Sequence, residues 1–120
     1  MVNILTKFKK CEITVSDLKH QFGDDLHNAH VNYPEIICTL DVICAIKKFL
    51  NNIISRQYLV DWVNVIWFTE LFVYNEIEEN SIASVMSLLE TLDEKEVNFI
   101  VDDYLQMIDD LKNNRECDLI

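Results

Sequence analysis

Glycine and proline are nearly missing from this chain, with one of each in 120 residues. That supply leaves few glycine turns and no glycine-rich phosphate loop, so the usual nucleotide-cradling motifs are excluded. The four cysteines, Cys11, Cys38, Cys44 and Cys117, show no CxxC spacing. They read as free thiols in a reducing compartment and not as a disulfide framework. No apolar run reaches the roughly 20 residues of a membrane span. The most apolar stretch, "YLVDWVNVIWFTELFVY" at 58–74, is interrupted by Asp61, Asn64 and Glu70, and it reads as a central core helix. In "MVNILTKFKKCEI" the basic residues follow the short apolar run and no small-residue cleavage site appears, unlike a secretory signal. A cytoplasmic protein is expected.

Cations are scarce on one side of the chain only. Residues 61–120 hold three Lys and Arg against fifteen Asp and Glu, whereas residues 1–60 hold seven against six. The whole net charge of −11 therefore lives in the second half. Such a field disfavours direct contact with nucleic acid or with an anionic membrane. It favours a basic partner and accelerates its association.

Hydrophobic residues make up 50% of the chain and charged residues 26%, a globular composition. With so few helix breakers, the expected fold is all-α: one domain over 1–120, a compact bundle of about six helices arranged as three helical hairpins. The apolar periods place these helices near 2–10, 14–22, 35–51, 55–74, 79–92 and 93–113, with no strand. The stretch "GDDLHNAHVNYP" (23–34) is the one long connection, and Pro34 suits the first turn of the next helix. Residues 114–120, "NRECDLI", are expected to fray.

The first two hairpins echo each other at an offset of 41. "LTKFKKCEITVSDLKHQF" (5–22) aligns with "IKKFLNNIISRQYLVDWV" (46–63), so that Phe8 matches Phe49, Ile13 Ile54, Thr14 Ser55 and Leu18 Leu59. Thr14 and Ser55 are expected N-caps, and "TVSD" approaches a capping box. In the third hairpin the same logic makes Asp93 the cap of the last helix, with Glu96 completing "DEKE".

Within "VNFIVDDYLQMIDDL" (97–111), Asp102-Asp103 and Asp109-Asp110 stand seven residues apart, close to two helical turns. On a wheel drawn from Val97, Ile100, Val101, Tyr104, Leu105, Ile108 and Leu111 form the apolar arc. The aspartates and Phe99 fall opposite. Lys112 is the only cation placed along the helix to pair with them. Unpaired like charges are mildly unfavourable for folding, so this face is read as a docking surface: Asp102, Asp103, Asp109 and Asp110 around Phe99, extended by Glu76, Glu78 and Glu79.

Other chemistry is poorly served. His27 and His30 lie near Asp24, Asp25 and Cys38, but zinc asks for four ligands at tighter paired spacings. There is no EF-hand loop and no Glu-x-x-His pair of di-iron bundles. No nucleophile motif accompanies His20, His27 and His30. Glu70 falls on the Leu59-Val63-Ile66 side of its helix, where burial would raise its pKa as a structural group. Trp62 and Trp67 sit about 140° apart and both read as core. No enzyme activity, cofactor or metal is expected.

The segment "IKKFLNNIISRQYLVDWVNVIWF" (46–68), a helix ending in "KFLNN", then Ile-Ser, then a helix with spaced Leu and Trp, resembles small all-helical bacterial immunity proteins. These are the proteins of the colicin D-like immunity family and of contact-dependent growth inhibition systems. The acidic hairpin "NEIEENSIASVMSLLETLDEKEVNFIVDDYL" continues the similarity, which covers about residues 40–113. The resemblance implies a cytoplasmic protein that binds one cognate toxin domain, often a basic nuclease, in a 1:1 complex and covers its active site. It transfers no fixed site residues. The alternative on the same acidic face is a regulatory adaptor or anti-activator of another basic protein.

Overall fold

In the computed structural model, which describes residues 3–119, three helices begin at a polar cap residue on extended backbone. The side chain of Asn3 accepts from the Leu5 N–H and starts α1 (Ile4–Lys9). Thr14 caps α2 (Val15–Phe22) through the Asp17 N–H, while Asp17 reaches back to the Thr14 N–H, closing the expected capping box. Ser55 caps α4 (Arg56–Phe68) through the Tyr58 N–H. Val2, the first residue of the expected 2–10 helix, lies outside the described residues.

The chain turns sharply without glycine. Cys11 (φ 61°), Asn52 (φ 60°) and Asn114 (φ 50°) take left-handed backbone just past the ends of α1, α3 (Thr39–Leu50) and α6 (Val101–Lys112). In each case the next N–H returns to a carbonyl five residues back: Glu12 to Lys7, Ile53 to Lys48, Arg115 to Asp110. This is the Schellman closure that glycine normally serves, and asparagine tolerates it best among the other residues. Cys11 and Asn52 are themselves 41 residues apart, so the echo in sequence is an echo in structure. Gly23, the single glycine, ends α2 at φ 88°.

Helices account for 62% of the structure, and the all-α reading holds with one correction. Two expected helices start or finish as strand. Residues 35–51 split into β1 (Glu35–Ile37) and α3, and residues 55–74 split into α4 and β2 (Phe72–Tyr74). The two strands pair in parallel, Glu35 with Phe72, Ile36 with Val73, Ile37 with Tyr74. Pro34 thus precedes a strand and not a helix. The break before α3 comes from extended Cys38, whose N–H donates to the Asp41 carboxylate at 2.8 Å. The break after α4 comes from Thr69, also extended, whose hydroxyl donates back to the Val65 carbonyl at 2.6 Å. Beyond it "FVY" is aromatic and β-branched, and pairing overrides the helical period.

A single turn of 3-10 helix (Glu76–Glu78) leads into α5 (Glu79–Glu90), and another (Thr91–Asp93) leaves it. Asp93 therefore caps nothing. The last helix starts eight residues later, at Val101, where Asp103 accepts the Ile100 N–H at 2.9 Å. Arg56 holds the intervening 94–100 segment in place by donating to the carbonyls of Leu92, Glu94 and Val97 and to the Asn98 side chain.

Successive helices pack as the expected hairpins, α1 on α2, α3 on α4 and α5 on α6. Further packing of α6 on α3 and of α5 on α4 joins them around one core. Its centre holds Trp62, Phe8, Leu18, Leu59, Met86 and Met107, all fully buried. Each such side chain contributes about 1.5–3 kcal/mol by leaving water. Trp62 satisfies its indole N–H on the carbonyls of Phe8 and Lys9. Trp67 is half-buried, lying edge-on to Tyr74 at the surface, so only one tryptophan is core.

The tail is a further correction. The Cys117 N–H donates to Ser84 Oγ at 2.8 Å, and Asn114 joins Ser81 to the Ile77 carbonyl. Cys117 is buried, and Leu119 packs partly against the core. Residues 114–119 are docked along α5; Ile120 lies outside the described residues.

Candidate partner-binding surface

The aspartate pairs stack as their seven-residue spacing requires, but in two lines. At 100° per residue, Asp102 sits over Asp109 and Asp103 over Asp110, with about 100° between the lines. The outer line faces solvent, whereas the inner line turns toward the docked tail.

Asp110 is only 6% exposed. Its carboxylate accepts from Arg115 Nε at 3.2 Å and Gln106 Nε2 at 3.1 Å, and it takes a further hydrogen bond from the Cys117 thiol. Burial pushes its pKa up, yet these hydrogen bonds and the Arg115 charge outweigh burial and hold it below the usual carboxylate range. Burial first, and then the neighbouring Asp110, push the Cys117 thiol up to about 12, which keeps its proton available for donation. Asp110 is therefore a structural ion and not a docking residue.

Glu78 is also committed inward. It accepts from the Thr39 hydroxyl at 2.8 Å and the Thr39 N–H at 3.2 Å, so a side chain 39 residues away caps α3. Asp103 is half-buried and caps α6. Asp109 is exposed but paired with Arg115 at 2.7 Å, a cation supplied by the tail and not by the helix. Phe99 precedes the helix and is half-buried, edge-on to Tyr104 with ring centroids 5.8 Å apart. Of the eight expected docking residues, Asp102, Glu76 and Glu79 remain exposed without an ion-pair partner among the described residues.

The α6 surface has apolar members that the wheel from Val97 placed inside. Ile100, Val101 and Leu105 are 65%, 61% and 50% exposed. Val101 and Leu105 are one turn apart and adjacent to Asp102 on the same outward face. The segment that Arg56 pins carries Glu94 and Glu96 with one Lys95, and leads straight into this face. The result is a small exposed apolar cluster beside exposed carboxylates.

The histidines serve the long connection. His27 Nδ1 lies 3.0 Å from the Phe68 carbonyl, and His30 Nδ1 pairs with Glu70 at 2.9 Å. Glu70 is accordingly exposed, outside the core face expected for it. No three His, Cys, Asp or Glu side chains gather as metal ligands among the described residues. No helix is long and apolar enough to cross a membrane among the described residues. The chain matches no protein-family model, no curated protein and no solved structure.

Proposed function

We propose that this chain is a binding protein that neutralises a basic partner protein through the outward face of α6, in the role of an immunity protein toward a toxin domain. The observation that carries the reading is the exposed Ile100-Val101-Leu105 cluster beside Asp102 on a helix whose opposite side is core. A rigid helix offers carboxylates in fixed positions to Arg and Lys of a partner through charge-assisted bonds. The apolar centre excludes water around them and contributes most of the affinity, while the surrounding acidic residues accelerate encounter. Cytoplasmic location and a nuclease as the target belong to the same reading and rest on the family resemblance.

The test is protection of cells that express a toxin domain encoded beside this chain. Val101→Lys/Leu105→Lys and Asp102→Lys variants alter exposed positions only, so they are expected to stay folded and to lose protection and partner affinity. Full protection by the folded variants would overturn the reading. Raising ionic strength should slow association more than it speeds dissociation.

A further inference from the structure

A cavity of about 470 Å³ opens between α2, the connection at 23–34, α4 and the end of α5. That volume lies within the range of small-molecule sites, roughly 300–1,000 Å³. Asp61, Asn64, Val65 and Phe68 build its α4 side, at a spacing that keeps all four on one face of the helix. Val65 and Leu26 are buried and Val15 is half-buried, which makes the floor apolar. Phe68 is 44% exposed, so part of its ring stays open. His27 Nδ1 pins the connection to the Phe68 carbonyl at 3.0 Å, and because a carbonyl only accepts, that nitrogen carries the proton. The pin holds one wall of the cavity against α4.

Four carboxylates surround this floor, and they come from separate elements. Asp24 belongs to the connection, Asp61 to α4, Glu90 to the end of α5 and Asp93 to the 3-10 turn after it. None of them is in an ion pair among the described residues. Asp61 accepts only from the neutral Gln57 side chain, at 2.9 Å. Lys19 is the single amine in the lining. Yet no three of these groups gather as metal ligands among the described residues. A metal ion requires its ligand oxygens to converge within about 2.0–2.6 Å of one point. Carboxylates spread around an apolar floor match a different ligand, one whose cations are themselves spread along a hydrocarbon chain.

We infer that this cavity binds a linear polyamine, with its methylene chain on the floor of Val15, Leu26 and Val65 and its ammonium groups on the surrounding carboxylates. Each ammonium donates charge-assisted hydrogen bonds to a carboxylate, and the ring of Phe68 attracts a cation over its face. The side-chain carbonyl of Asn64 adds a neutral acceptor on the α4 side. A monoamine, or one Arg or Lys side chain of a partner, carries a single cation and leaves the remaining carboxylates unanswered. No residue of α6 lines the cavity, so the inference goes beyond the reading of α6 and stands without it.

The probes are spermidine, butylamine as a one-cation control, and Mg²⁺ at equal charge concentration, each titrated into the full chain by calorimetry. Nuclear magnetic resonance shifts map the site, and circular dichroism checks that each variant is folded. The expected result is saturable 1:1 binding of spermidine, with shifts centred on His27, Asn64 and Phe68. Butylamine should bind at least about tenfold more weakly, as the loss of charge-assisted bonds requires. The pair Asp61→Asn/Glu90→Gln should weaken spermidine binding at least about tenfold. The pair Glu12→Gln/Glu116→Gln removes as much charge from exposed positions outside the lining and should leave it within about twofold. Lys19→Ala, which removes a like charge, should tighten binding. Four results each overturn the inference: no saturable binding of spermidine, equal binding of butylamine, full displacement by Mg²⁺, or shifts that map elsewhere. Equal weakening by the two paired variants would reduce the binding to attraction by the net charge of −11 and overturn it as well. An Arg-bearing peptide that fills the cavity where spermidine does not would assign the site to a partner protein instead.

Discussion

Substituting Asp110 by Asn and, separately, Asp102 by Asn separates two carboxylates that look alike in sequence. Asp110→Asn keeps the shape but removes the charge that Arg115, Gln106 and the Cys117 thiol all address. Arg115 is half-exposed, so the ion pair itself is worth little. The cost comes from a buried acceptor that loses its charge while its donors remain, about 1.5–3 kcal/mol. For a domain of this size the melting temperature should fall by about 5–10 °C. Asp102→Asn, on the exposed face, should change stability by no more than about 0.5 kcal/mol. The pH dependence carries the sign. Asp110 titrates lower folded than unfolded, so its contribution is fully present above the unfolded carboxylate value of about 4 and is lost as pH falls through the lower folded value. The stability gap between wild type and Asp110→Asn should therefore be constant near neutrality and close below about pH 4. Urea unfolding at several pH values measures it. Equal stability of wild type and Asp110→Asn at neutral pH, or a gap that widens in acid, would refute the assignment of Asp110 as a structural ion.

The cross-chain cap predicts that Glu78→Ala loses about 1 kcal/mol in chemical denaturation, while Glu76→Ala and Glu79→Ala are neutral; three equal effects would contradict it. At Asn52 the left-handed backbone predicts that Ala costs about 1 kcal/mol and that Gly costs nothing or stabilises, which thermal melts can check. Cys44 is exposed, whereas burial holds the Cys11 and Cys117 thiols up near 12. Maleimide at neutral pH should therefore label Cys44 first and spare Cys11 and Cys117 until the chain unfolds, as mass mapping would show.

Local chemistry was enough to settle the helical class, the hairpin order and the caps at Thr14 and Ser55. These depend on residues within one turn of each other, and a chain nearly free of glycine and proline rarely interrupts them. The 41-residue echo was legible for the same reason, and the structure extends it to the left-handed residues Cys11 and Asn52. The strands were not legible. "EII" and "FVY" are apolar runs of three, compatible with helix or strand, and only their meeting across α3 and α4 selects the strand. Nor could composition sort the carboxylates. Asp102, Asp103, Asp109 and Asp110 are identical as charges, and their roles diverged once the tail brought Arg115 and Cys117 against α6. Glu78 became a cap only because Thr39 folds beside it. What a carboxylate does depends on burial and on donors from distant parts of the chain, and the fold alone supplies those.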